Sequence, residues 1–176
     1  RLSHGKGLES LTVLALLAGL AAACGLPSLD RLRWTPGGRP YFREGPSFSL
    51  AHSKGFAACG IAPPGLEIGV DLEPTGRARS DAVRLIADEA ERRALDAGSI
   101  TPTEFWTAKE SVLKAAGAGL ADISKVTVRG RGARLAGVDY EWRHFQARPG
   151  LLLAVAANGP LPPVRIVWPR PAAIFG

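Results

Sequence analysis

The spacing of apolar and polar residues changes several times along the chain, and each change predicts a new element. Residues 8–24 are rich in Leu and Ala and predict a helix, which Gly25 ends. Apolar and polar residues then alternate with a period of two over 48–52 and 66–73, as strands require, and 56–62 is predicted as a further strand. A turn at Lys54 and Gly55 makes the first two strands a hairpin.

A helical period returns in the second half of the chain. Ser80 can cap a helix that runs to about Ala97, and Thr101-Pro102 begins another helix, which Gly117 ends. The probable strands that follow are 125–129, 133–138, 140–147 and 151–157.

Because each half offers a helix and antiparallel strands, the pattern predicts an α+β protein. We expect two pseudo-symmetric lobes, each a small antiparallel sheet packed with a long helix. The predicted N-terminal lobe is 1–68, and the predicted C-terminal lobe, 69–176, carries the candidate site.

Composition narrows the classes of protein only a little. The chain has 176 residues and a formal net charge of +6, which favours nucleic acid, an anionic membrane, a phosphorylated cofactor or an acidic protein as partner. With only Cys24 and Cys59, a disulfide framework is not indicated, and a reducing compartment is the simpler expectation. The apolar stretch 11–26 resembles a secretory signal with a lipoprotein-like Cys24, but a buried helix is equally compatible with it.

Two carboxylates are the first candidate for chemistry. The alternation of the strand 66–73 places Asp71 and Glu73 on one face. Neighbouring carboxylates repel each other unless a positive charge lies between them, and Mg²⁺ prefers such ligands together with substrate phosphates. For the pair taken alone, a solvated polar face at a strand edge is the simpler interpretation.

The helix that begins near 101 offers a second set. Trp106, Glu110 and Lys114 are four residues apart and form one column on its surface. Glu110 and Lys114 alone suit an ordinary ion pair worth about 0.3–0.5 kcal/mol. Taken alone, Lys109 is explained by a solvated surface charge, and His52 is explained by a buried histidine that is hydrogen-bonded to the backbone.

Several other chemistries have no support in the sequence. No paired Cys motif or His-x-x-x-His suggests zinc, and no Gly-x-Ser-x-Gly elbow or Walker loop is present. Arg129, Arg131 and Arg134 lack interleaved aromatic residues, so they make a weak nucleic-acid footprint.

Three motifs in combination resemble a known family. Residues 69–73 read GVDLE, residues 105–114 read FWTAKESVLK, and GRPY at 38–41 leads to FSLAHS at 48–53. These are similar to the signature motifs of the 4′-phosphopantetheinyl transferases, in the same order. The resemblance spans about residues 8–157.

The resemblance implies a fold and an activity. It implies the Sfp-type architecture of two pseudo-symmetric lobes with coenzyme A between them. The implied reaction moves 4′-phosphopantetheine from coenzyme A to a serine of an apo acyl or peptidyl carrier protein, and it releases 3′,5′-ADP. The implied partners are the carrier and coenzyme A, without nucleic acid or membrane. Because coenzyme A is cytosolic, a cytoplasmic location and a buried helix over 11–20 also follow.

The resemblance also implies roles for particular residues. The implied Mg²⁺ ligands are Asp71, Glu73 and Glu110. Glu110 would accept the serine proton, directly or through water, and Lys114 would neutralise or protonate the leaving group; with Asp71 these are the implied catalytic residues. The implied coenzyme A contacts are Arg39, His52, Lys109 and Lys114.

The chain departs from the family pattern at two places. Ala51 stands where the family usually has serine, which removes one expected phosphate contact. Residues 8–10 lack the arginine expected near the nucleotide, so Arg31, Arg33 or Arg43 would share adenine recognition. These departures keep open an alternative, a degenerate relative that binds coenzyme A or carrier protein without transfer.

Overall fold

The computed structural model describes residues 27–35 and 39–168, together with positions 15, 18 and 19. The helix predicted over 8–24 therefore lies almost wholly outside the described residues. Cys24, on which the lipoprotein interpretation depends, lies outside them as well. No helix in the described ranges is long and apolar enough to cross a membrane.

The first half of the described chain forms two hairpins. After a single 3-10 turn at Leu29–Arg31, the strands are β1 (Leu32–Trp34), β2 (Pro40–Phe42), β3 (Phe48–Ser53) and β4 (Phe56–Ile61). Strands β1 and β2 pair antiparallel, and so do β3 and β4. Lys54 and Gly55 both take positive φ in the β3–β4 turn, so the predicted hairpin is confirmed.

The second half forms one antiparallel sheet of five strands in the order β5-β9-β8-β7-β6. The strands are β5 (Ile68–Pro74), β6 (Thr127–Arg129), β7 (Gly132–Leu135), β8 (Val138–Arg148) and β9 (Leu151–Ala157). All five strands were predicted, with bounds shifted by a few residues, because each alternates or ends at a turn as a sheet strand does.

Three α-helices are described: α1 (Ser80–Leu85), α2 (Glu89–Asp96) and α3 (Pro102–Ala116). The single helix predicted over 80–97 is wrong. Asp88 starts a new helix because its side chain accepts from the Glu91 amide at 2.9 Å, while Glu91 accepts from the Asp88 amide at 2.8 Å.

The predicted helix α3 is confirmed at both ends. Thr101 and Glu104 form a capping box, Pro102 occupies the first turn, and Gly117 closes the helix in the left-handed conformation at φ 67°.

Helix α3 lies very close to β5, and Gly69 makes this possible. A Cβ at Gly69 would lie 1.9 Å from the Ser111 carbonyl oxygen and 2.4 Å from the Ala115 nitrogen. Because both atoms belong to the backbone of α3, only glycine fits between strand and helix. The glycine therefore sets the separation between the β5 and α3 side chains that face each other.

The β3–β4 hairpin covers the opposite side of β5. Ile68, Val70 and Leu72 are buried there. The hydroxyls of Ser47 and Ser49 accept hydrogen bonds from the amides of Ile68 at 3.3 Å and Val70 at 3.0 Å. Side-chain hydroxyls thus satisfy backbone donors along the junction between the two halves of the chain.

The α+β class is confirmed, but the described residues do not show two matching lobes. They place two two-stranded sheets in the first half and a five-stranded sheet with α3 in the second. The segment predicted to supply the first lobe's helix lies outside the described residues. Pseudo-symmetry and the division into 1–68 and 69–176 stay predictions.

Candidate active site

Asp71 and Lys114 meet where β5 passes beneath α3. Asp71 follows Gly69 on the strand face that points toward the helix, and only 5% of its surface is exposed. Its Oδ1 accepts a hydrogen bond from the Lys114 Nζ at 2.7 Å. Its Oδ2 is buried, and the described residues offer it no donor. One oxygen of a buried carboxylate therefore keeps unused acceptor capacity.

Glu110 lies one helical turn before Lys114 and joins the same group. Its Oε2 is 3.8 Å from the Lys114 Nζ. Burial and the Asp71 charge together raise the pKa of Glu110 to about 7, although the Lys114 ammonium opposes them. A carboxyl group in this environment exchanges its proton near neutral pH, as a general base must.

Glu73 lies two residues beyond Asp71 on the same strand face. Its Oε2 accepts from the Ser53 Oγ at 2.8 Å and pairs with the Arg77 Nε at 3.0 Å. Its charge also contributes to the raised pKa of Glu110. Asp71 and Glu73 thus lie near enough to Glu110 for their charges to act on it, and these three residues are hereafter called the acidic cluster.

The donor chemistry of the acidic cluster fits a hard divalent cation. Its carboxylate oxygens are ligands that Mg²⁺ prefers, and the buried Asp71 Oδ2 has capacity to spare. The raised pKa of Glu110 reflects its burial and, after that, the neighbouring charge of Asp71. Within the described residues, however, no three acidic, His or Cys groups are arranged to hold a metal. Asp71 pairs with Lys114 instead, and Glu73 pairs with Arg77.

Arg39 borders the same region from the first half of the chain. Its guanidinium donates from Nη2 to the Glu67 Oε2 at 2.9 Å and from Nη1 to the Ala115 carbonyl at 3.3 Å. Arg39 and Lys114 both line a cavity of about 260 Å³, whose other walls include Ser49 and the turn after α3. The structure therefore brings together two of the residues predicted to contact coenzyme A.

His52 and Ala51 lie on opposite faces of β3. His52 is exposed and is not among the residues that line the 260 Å³ cavity. Ala51 is buried against Ile68 and Leu72 in the core beneath β5. The structure therefore places Ala51 inside the junction between hairpin and sheet.

Lys109 is placed in the core, which does not agree with its predicted contact to coenzyme A phosphates. Its side chain is 0% exposed and pairs with the buried Glu91 at 3.0 Å. The Nζ also donates to the carbonyls of Ile86 and Val126. An ammonium enclosed by three acceptors has no donor left for a ligand outside the core. Lys109 therefore joins α3 to α2 and β6.

Sequence reasoning missed the roles of four side chains. Ser53, Glu67 and Arg77 contact predicted site residues, and Glu91 pairs with Lys109 in the core. Ser53 belongs to the FSLAHS motif, and the Asp88-x-x-Glu91 spacing signals a capping box. No local pattern predicts that Glu67 meets Arg39, because 28 residues separate them.

Carboxylates, a lysine and an arginine thus converge beside a cavity in this α+β protein. Residues 67–134 match the family model of the 4′-phosphopantetheinyl transferase superfamily. This segment, which runs from before β5 into β7, is therefore similar to that superfamily of transferases. The family resemblance of the motifs is confirmed at this level. No curated protein matches the chain.

Proposed function

We propose that this protein is an Sfp-type transferase, which moves 4′-phosphopantetheine from coenzyme A to a serine of an apo acyl or peptidyl carrier protein with the help of Mg²⁺. The observation that carries the proposal is the convergence of Asp71, Glu110 and Lys114 within the matched segment. The adjoining cavity, bordered by Arg39, offers a place for the coenzyme A phosphates.

The cationic residues around the junction support recognition of coenzyme A. Arg39 and Lys114 border one cavity, and phosphates are stabilised by such side chains. A second cavity of about 340 Å³ is lined by Arg31, Arg33 and Arg43 together with Phe42 and Glu44. Guanidinium groups and an aromatic ring suit a nucleotide, so we assign the adenosine end to this cavity. His52 is retained as a phosphate contact on the strength of its motif.

Asp71, Glu73 and Glu110 are the residues that would hold Mg²⁺, which supplies Lewis acidity to the pyrophosphate. The carrier serine oxygen attacks the β-phosphorus of coenzyme A as Glu110 accepts its proton, directly or through water. The bond between this phosphorus and the bridging oxygen breaks, and 3′,5′-ADP leaves. Lys114 neutralises or protonates the departing oxygen. Positioning and charge stabilisation carry most of such a transfer.

The carrier would belong to fatty acid, polyketide or nonribosomal peptide synthesis in the cytoplasm. The net charge of +6 supports an acidic carrier, because opposite charges speed encounter between proteins.

Mass spectrometry tests the proposal directly. Apo carrier proteins incubated with the protein, coenzyme A and Mg²⁺ should gain the mass of phosphopantetheine, and chelation of Mg²⁺ should stop the gain. Glu110→Gln should lower the rate by about 100-fold or more, because the general base is lost. Glu89→Gln is the matched control, since Glu89 is exposed and pairs only on the surface with Arg93. If no carrier gains mass at high enzyme concentration, the proposed transfer is refuted.

A second candidate is a relative that binds coenzyme A or carrier protein without transfer. The observation in its favour is that Lys114 and Arg77 already pair with two of the three carboxylates. Calorimetry would then show coenzyme A binding by a protein that modifies none of the carriers.

A further inference from the structure

The pairing of Asp71 with Lys114 places a protein cation at the proposed metal site. The Lys114 Nζ lies 2.7 Å from Asp71 and 3.8 Å from Glu110, so it bridges the two carboxylates. The Lys114 ammonium thus lies at the position between Asp71 and Glu110 where the proposed function would place a divalent ion.

The ammonium occupies the Oδ1 of Asp71, and only the Oδ2 is left for a second cation. A divalent ion bound to Asp71 and Glu110 would therefore lie within a few ångströms of an ammonium that contacts Asp71 and lies near Glu110. Repulsion at that separation is large because Asp71 is 5% exposed and poorly screened by water. Either the ion stays out, or the ammonium withdraws.

Lys114 is able to withdraw. Its side chain is 32% exposed, and its flexible four-carbon stem allows the ammonium to reach several positions. It also lines the 260 Å³ cavity, where a phosphate would be an alternative partner. Lys109 offers the contrast, because its ammonium is fully enclosed by acceptors in the core.

We infer that Lys114 is an internal counter-ion that competes with the divalent cation for Asp71, so that cation binding requires the ammonium to leave. This inference rests on the proposed function, since it concerns the same cation site. In this arrangement Lys114 weakens cation binding in the absence of coenzyme A. The ammonium that is displaced from Asp71 becomes available to the phosphates, so cation and phosphate ligands favour each other.

Binding of Mn²⁺ without coenzyme A tests the competition. Free Mn²⁺ is measured by electron paramagnetic resonance at pH 8 for wild type, Lys114→Met and Lys125→Met. Lys125→Met removes the same charge from an exposed pair with Asp122 and so controls for net charge. We expect Lys114→Met to bind Mn²⁺ on the order of tenfold more tightly, and Lys125→Met to stay within about twofold of wild type. Asp71→Asn added to Lys114→Met should abolish the gain.

The outcomes separate this inference from the proposed function. Equal Mn²⁺ affinity in wild type and Lys114→Met overturns the competition and leaves the metal site standing. A lack of binding by both proteins overturns the metal site and the competition with it. Circular dichroism establishes that the variants are folded, and Lys114→Gln replaces Lys114→Met if the latter fails to fold. The increase in Tm caused by Mn²⁺ should likewise be larger in the folded variant than in wild type.

Discussion

At the scale of single residues, two lysines five positions apart on α3 have opposite surroundings. Lys114 is partly exposed and pairs with Asp71 beside a cavity. Lys109 is fully buried, and burial lowers its pKa while the Glu91 carboxylate opposes the change. The same residue type therefore serves the site in one place and holds helices together in the other.

The buried pair predicts a large effect on stability. Lys109→Met should lower the free energy of unfolding by about 3–5 kcal/mol, because Glu91 would keep a buried charge without its cation. The carbonyls of Ile86 and Val126 would also lose their donor. Urea unfolding measures the change.

Lys125→Met is the control for this stability prediction as well. Its pair with Asp122 is exposed, so we expect its loss to leave the unfolding midpoint close to that of wild type. Similar unfolding midpoints for the two variants would show that the pair between Lys109 and Glu91 does not stabilise the fold.

Local spacing predicted the two parts of the acidic cluster, whereas only the family resemblance implied that the two parts meet. Period two places Asp71 and Glu73 together, and a spacing of four places Glu110 above Lys114. Lys109 was assigned to the site although a signal against it was present. It lies four residues after Phe105 and three before Val112, on the apolar side of α3. Lys109 was assigned to the site because it belongs to the family motif, although its position along the helix places it on the buried side.

At the scale of elements, the approach of α3 to β5 decides where the side chains of the proposed site meet. Thr101, Pro102 and Gly117 were sufficient to predict α3, because these residue types favour the ends of helices. The break at Asp88 was missed because the apolar positions stay in phase across it, although the capping box at Asp88 starts a new helix. The contact between Arg39 and Glu67 had no local signal at all, since it depends on how the two halves pack.

Gly69 gives a prediction at this scale. Gly69→Ala should destabilise the protein by about 3 kcal/mol or more, because its methyl group would overlap the backbone of α3. Backbone atoms cannot rotate aside, so the helix must move away from β5. The pairing of Lys114 with Asp71 and the transferase activity should then be weakened together. Urea unfolding and the carrier mass assay measure the two effects.

Gly132→Ala is the matched control for Gly69→Ala. A Cβ at Gly132 would meet the Arg129 carbonyl oxygen at an ordinary 3.5 Å. We expect its free energy of unfolding to stay within about 1 kcal/mol of wild type. Equal losses in both variants would argue against a special contact at Gly69.

At the scale of the whole molecule, the proposed site lies where the two halves of the chain meet. Ser47 and Ser49 bond to β5, Ser53 bonds to Glu73, and Arg39 reaches Glu67 and the end of α3. Residues from both halves therefore border the cavity beside the acidic cluster. Binding of a ligand in that cavity would involve both halves at once.

Arg39 tests whether this junction binds coenzyme A or only joins the halves. Glu67→Gln removes the ion pair but keeps the guanidinium, and Glu67 is half exposed, so we expect a stability loss below about 1 kcal/mol. Arg39→Met removes the charge that borders the cavity, and we expect it to raise KM for coenzyme A by about tenfold or more. A guanidinium with a purely structural role would instead make the two variants alike in KM, with stability as their main defect. Steady-state kinetics over a range of coenzyme A concentrations and urea unfolding of both variants distinguish these two roles. Only a phosphate contact predicts that Arg39→Met raises KM for coenzyme A while Glu67→Gln leaves it unchanged.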